Sequence, residues 1–169
     1  DIHGYSPNAP QQLKGSAYWI PSNIFLTLLE AVLKQIHRAG FKIVVAHGHG
    51  PSTNLVIKNS RKLSRKFNLT IMTLWRDKDQ RDPDMEFQYD HAATNETSIM
   101  MALHPNLVHM ENLPKDKKKQ PLAIIGKDPR THASAKHGEN IIRLHLHRME
   151  KILKEQLLRL QKTRSSHHT

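Results

Sequence analysis

Cysteine is absent from all 169 residues, which removes disulfides, thiolate zinc sites and cysteine nucleophiles together. Any metal must be held by His, Asp, Glu or water. Aromatic residues are scarce at 5%, so a core drawn from the 37% apolar residues must be largely Leu, Ile and Val. No uninterrupted apolar run approaches the roughly 20 residues that a membrane helix needs. A soluble chain with no membrane partner is expected. Acidic residues are also short: 15 Asp and Glu against 26 Lys and Arg leave +11, and 13 histidines add positive charge as pH falls toward ~6.5. A basic nucleic-acid-binding module is one reading of that charge, weakened by the lack of interleaved aromatics or a known binding motif. The charge is partly local. Arg61 to Lys66 is basic and Lys115 to Lys119 sets four lysines around one aspartate; such runs read first as solvated loops or helix faces. The length suits one domain over 1–169 with a polar, frayed tail at about 164–169. Asp1 is neither a Met nor the head of a signal-like segment, so the start reads as processed or cut from something longer.

What is present is organised around Phe41 to Asn54. Phe41 to Ala46 is apolar and β-branched without alternation, the pattern of a strand covered on both faces. It empties into His47-Gly48-His49-Gly50, a loop at a strand's carboxyl end, where open α/β sheets leave a crevice for ligands. Gly48 and Gly50 there permit φ > 0 or close approach of a bound group. Upstream, residues 1–21 read as loop with one short extended piece. Ser22 or Asn23 then caps a helix whose Ile24, Phe25, Leu28, Leu29, Val32, Leu33 and Ile36 share a face, stopped by Gly40. Leu55 to Phe67 predicts a second helix ending at Asn68, and Leu69 to Trp75 a second buried strand, completing a βαβ unit.

Arg76 to Tyr89 is polar and broken by Pro83, an exposed excursion. It leads to Asp90-His-Ala-Ala-Thr-Asn-Glu-Thr-Ser98 and a helix ending at His104-Pro105, with Thr94 or Asn95 as cap and Glu96 in the first turn, where a carboxylate suits the helix dipole. Pro121 to Gly126 predicts a third strand and 126–138 an irregular segment. From Glu139 a long helix follows, its stripe Ile142, Leu146, Met149, Leu153, Leu157 and Leu160 spaced 4, 3, 4, 4 and 3 apart. That stripe closes a core or an oligomer interface, with His145 and His147 at the surface or rim. The fold class is α/β, a three-layer αβα domain with a mostly parallel sheet.

The order of these motifs resembles the creatininase (creatinine amidohydrolase) family of metal-dependent amidohydrolases. His47-Gly48-His49-Gly50 followed by Asn54 is similar to that family's Asn-Gly-His-Gly-Gly-Asn loop, with His47 for the first Asn. His91-Ala92-Ala93-Thr94-Asn95-Glu96-Thr97-Ser98 resembles its His-Ala-Gly-x-x-Glu-Thr-Ser motif, with Ala93 for Gly. Met100 to Val108 is similar to the following helix and its Pro-x-Leu-Val exit, and Ala133 to Gly138 to the segment before the last helix. The family's opening Glu-x-His-Gly-x-His-x-Pro segment has no counterpart here. Asp1-Ile-His-Gly4 echoes a piece of it, but Gly4 to Ser16 is closer to a later Tyr-Gly loop. The chain is therefore expected to be the carboxyl-terminal part of a domain.

The resemblance implies His49 and Glu96 as metal ligands, with zinc and/or manganese as cofactor, two ions per complete site. Catalytic zinc takes about three protein ligands plus water, so these two do not suffice alone. His91 would carry a proton to the leaving nitrogen, a task that suits an imidazole titrating near neutrality, and Asp90 would orient it. His47 and Asn54 are the candidate substrate contacts, though His47 could merely brace its loop and Asn54 merely cap the next helix. The implied partner is a small-molecule amide, cyclic or linear, in a cytoplasmic homo-oligomer or with an amino-terminal partner segment. A non-catalytic remnant or assembly subunit of the same fold is the alternative.

Overall fold

The first secure element follows from apolar spacing. Ser22–Arg38 forms helix α1, its Leu29, Leu33 and Ile36 turned into a core. Neither Ser22 nor Asn23 is the cap: Pro21 holds that place, and its fixed φ of −56° already points the chain into the helix. Gly40 ends the segment at φ +90°, a conformation that a side chain rarely adopts. The structure, a computed structural model, describes residues 3–4, 19–73, 90–119, 121 and 124–165. It divides into two compact units, residues 1–80 and 81–169.

In the first unit, β1 (His3–Gly4) pairs in parallel with β2 (Trp19–Ile20), and β3 (Ile43–Ala46) with β4 (Thr70–Thr73), in register Ile43 to Thr70 through Ala46 to Thr73. Between β3 and β4 runs α2 (Gly50–Phe67), which gives the expected βαβ order. Asn68 closes α2 in the left-handed conformation (φ 49°, ψ 50°), the role expected of it. Leu33, Leu63 and Leu69 are almost fully buried, with Val44, Phe67 and Ile71 packed on them. Each such leucine contributes about 2–3 kcal/mol through burial. Among the described residues the expected cover on both faces of the strand is incomplete: the core packs on the face carrying Val44, and Val45 on the other is 40% exposed.

In the second unit, α3 (Thr94–Leu103) is followed by two single 3-10 turns, Pro105–Leu107 and Met110–Asn112, then α4 (Pro129–His132) and α5 (Ala135–Ser165). The expected third strand is represented by one antiparallel bridge, Ile125 to His91; residues 122–123 lie outside the described set, as does the predicted excursion at 76–89. Helix α5 begins four residues before Glu139 and contains Gly138, because that glycine packs against α3. A Cβ on Gly138 would overlap the Ser98 carbonyl. This contact turns Gly138, Ile141 and Arg148 inward, so the apolar stripe read from spacing is only partly covered: Leu146 is 66% and Leu157 53% exposed. His145 is half-buried with Nε2 out of solvent, and His147 is exposed. Among the described residues the chain is mostly helical with small parallel sheets, and no helix is long and apolar enough to cross a membrane.

Candidate active site

In the first unit, the chain leaves β3 at Ala46 and turns through exposed His47, Gly48 and His49 directly into α2. His49 is the N-cap residue, and its carbonyl accepts the Thr53 N–H at 2.9 Å while Thr53 Oγ1 donates to the Gly48 carbonyl at 3.1 Å. These bonds fix the loop backbone and leave the imidazole on the surface. Beneath it lies a cavity of ≈ 310 Å³ whose lining includes Phe25, Val32, Val44, His47 and His49. Gly48 and Gly50 do not use φ > 0, and an added Cβ would meet nothing within 4 Å at either. The φ > 0 expected at these glycines is therefore not used. Asn54 does not cap α2. The helix starts at Gly50 because Pro51 suits its first turn, which leaves Asn54 exposed one turn further along.

In the second unit, Asp90 and His91 lie in the loop before α3, and Glu96 in the first turn of that helix. His91 and Ile125 exchange both backbone hydrogen bonds at 2.9 Å, and Thr94 donates through its N–H (3.1 Å) and Oγ1 (2.9 Å) to the Lys127 carbonyl. Gly126 makes this possible: at φ +144°, a Cβ there would sit 2.8 Å from the Cβ atoms of Asp90 and Ala93. The start of α3 is then satisfied by carboxylates. Asp90 accepts the N–H of Asn95 on Oδ2 and of Glu96 on Oδ1 (3.1 Å), and Glu96 reaches back to accept the Ala92 N–H on Oε2 at 2.7 Å. Neither Thr94 nor Asn95 is the cap; Ala93 is, and Asp90 supplies the oxygens that a cap side chain usually would. Thr94 is spent on Lys127 instead.

Two residues not singled out in the sequence, His137 and Ser134, complete this frame. Asn95 Oδ1 meets His137 Nε2 at 2.9 Å, and Ser98 Oγ accepts the Ser134 N–H at 3.1 Å, so both ends of the α3 to α5 contact are hydrogen-bonded. No short-range pattern announces a pair 42 positions apart. Next to Glu96 opens an apolar cleft of ≈ 390 Å³, with Met100, Val108, His109, Leu113 and Ile124 among its walls. At its rim His109 Nδ1 lies 2.9 Å from Glu111, whose carboxyl is held below its ordinary value first by a backbone hydrogen bond and then by that imidazole.

The family model described as creatininase, creatinine amidohydrolase, matches residues 3–153. The chain belongs to the creatininase family. Among solved structures, a tryptophan-to-phenylalanine variant of creatininase superimposes with a TM-score of 0.61 at 17% identity, covering 83% of this chain and 66% of that one. A glutamate-to-glutamine variant complexed with creatine gives 0.60 at 15% identity, covering 83% and 67%. The Zn-Zn type of that variant gives 0.60 at 17%, covering 83% and 66%. At these identities the likeness is one of fold, and the chain spans about two thirds of the length of these creatininases. No curated protein sequence matches it.

A catalytic zinc needs about three protein donors. Among the described residues no three His, Asp or Glu side chains gather closely enough to hold an ion. Both Asp90 oxygens and one Glu96 oxygen are engaged by backbone N–H groups. His49 is the N-cap of α2 in the first unit, and Glu96 lies in the first turn of α3 in the second. The described donors therefore do not by themselves make a metal centre.

Proposed function

We propose that the chain forms part of a metal-dependent amidohydrolase of the creatininase type, one creatininase-like domain of three-layer αβα architecture acting in the cytoplasm on a small amide. The observation that carries this reading is the segment from Asp90 to Glu96, which resembles the family motif in sequence and sets the Glu96 carboxylate in the wall of an apolar cleft. Glu96 uses Oε2 on the Ala92 N–H, which fixes the carboxylate plane and leaves Oε1 for a further ligand. His91 is exposed in the loop before α3 and is assigned to move a proton at the leaving nitrogen. Asp90 serves first to hold that loop against α3, and through it His91. His47 and Asn54 are assigned to substrate contact and His49 to metal ligation, zinc and/or manganese supplying a polarised water when bound. The further ligands are assigned to residues outside the described set or to another chain, a second copy or an amino-terminal segment.

The test is metal content with activity. Purified protein loaded with zinc or manganese is expected to retain stoichiometric metal, to lose it on H49A or E96Q, and to open creatinine or cleave a linear analogue. A well-folded chain that holds no metal, alone or with an added amino-terminal segment, overturns the reading. That result would favour a non-catalytic assembly subunit, a reading supported by the shortage of donors among the described residues.

A further inference from the structure

Arg130 is heavily committed within the second unit. Its guanidinium donates to the carbonyls of Pro114 (2.7 Å), Asp116 (3.2 Å), Lys119 (3.1 Å) and Lys117 (3.3 Å), and pairs with both oxygens of Asp128. The segment 114–119 is thus wrapped around one cation, much as a loop wraps a metal ion, while all its side chains remain exposed. Its order does not come from its own sequence, which is too polar to bury anything.

A cavity of ≈ 250 Å³ opens beside this wrap, lined by Lys117, Lys118, Pro121, Ile124, Gly126, Asp128 and Arg130. Arg130 and Asp128 pair at 2.7 Å, and Lys117 and Lys118 are the other charged side chains lining the cavity. Lys117 Nζ is steadied by Thr131 Oγ1 at 3.4 Å, and the Lys118 backbone by Asp116 Oδ1 at 3.0 Å. Pro121 and Ile124 also line the apolar cleft beside Glu96, so the two spaces share a wall.

We propose that Lys117 and Lys118 form an oxyanion subsite, phosphate or carboxylate, for the far end of an amide whose apolar body lies in the Glu96 cleft. The substrate part rests on the amidohydrolase reading; the anion subsite does not. Holding the loop in advance removes the backbone share of the ordering cost, leaving that of the lysine side chains. Two cationic hydrogen-bond donors on one anion then supply affinity that depends on salt.

Calorimetric titration of the full chain with inorganic phosphate, and separately with acetate, tests it. Saturable binding is expected, weakened about tenfold or more in K117Q/K118Q and unchanged in K62Q, a lysine exposed on α2. Phosphate binding more tightly than acetate assigns a phosphoryl end to the ligand, and the reverse a carboxylate. R130K keeps the charge but cannot reach four carbonyls, so it too should weaken the anion while circular dichroism stays unchanged. Equal affinity in wild type and K117Q/K118Q, or no saturable binding, overturns the subsite. Among amide substrates, an anionic end should raise kcat/KM in wild type alone. If no amide is hydrolysed while phosphate still binds, the amidohydrolase reading fails and the subsite stands.

Discussion

At Gly138 a single methyl group has nowhere to go, since it would overlap the carbonyl of Ser98 where α5 crosses α3. Ser98 and Ile141 beside it are fully buried, so the neighbours cannot yield. G138A should cost about 3 kcal/mol, at the upper end of what overpacking usually costs, read from the midpoint of urea unfolding. G48A meets open space and should be silent by the same measure. If G138A proves silent too, the close crossing is wrong. Asp90 makes a different kind of demand. Its carboxylate takes two backbone N–H groups at the start of α3, so D90A should lose about 1–2 kcal/mol of stability, the ordinary cost of a removed cap. D90N, which keeps one acceptor, should lose less. A purely catalytic Asp90 would lower activity and leave the unfolding midpoint alone.

Among the elements, those legible in the sequence are the ones whose apolar period and stop signal agree. Helix α1 carries a stripe and ends in Gly40, and α2 ends at Asn68, both with the left-handed backbone their residue types favour. Where the reading missed, a long-range contact decided. The beginning of α5 was hidden because Gly138 reads as a breaker, yet the glycine is there for the approach of Ser98. Spacing gave the stripe of α5 but not its azimuth, which the same crossing sets. Of the candidate site, the two loops were legible as motifs, whereas the partners that fix them, Asn95 with His137 and Thr94 with Lys127, are too distant in sequence to be read. Arg130 is the clearest case, since nothing in Asp128-Pro129-Arg130 beyond a helix start forecasts four carbonyls. The wrap also has a pH signature. Hydrogen bonds from the Arg130 side chain hold the Asp128 carboxyl below its ordinary value. A depressed carboxyl contributes stability above the unfolded-state pKa and loses it as pH falls through the folded one. The 114–119 loop should therefore stay ordered from pH 5 to 8 and loosen only below ~3.9, the ordinary Asp value. Amide resonances of residues 117–119 would report this, and D128N should show the loosened positions at every pH.

For the whole molecule the charge of +11 poses the competing question of whether polyanion binding is the purpose or a by-product. The basic residues are spread over separate elements: the exposed face of α2 in one unit, the loop at 115–119 and α5 in the other. A dedicated nucleic-acid surface would engage many phosphates together, with a slope of log affinity on log salt near −0.9 per phosphate. If only one run of about four lysines engages a strand at a time, affinity for duplex DNA should fall only about 100-fold between 50 and 200 mM salt. Binding should then be weak at physiological ionic strength and indifferent to sequence. Fluorescence anisotropy across that salt range measures the slope directly. A slope corresponding to eight or more phosphates would mean that a continuous basic surface exists, and the charge would then be the function rather than the setting for one small anion subsite.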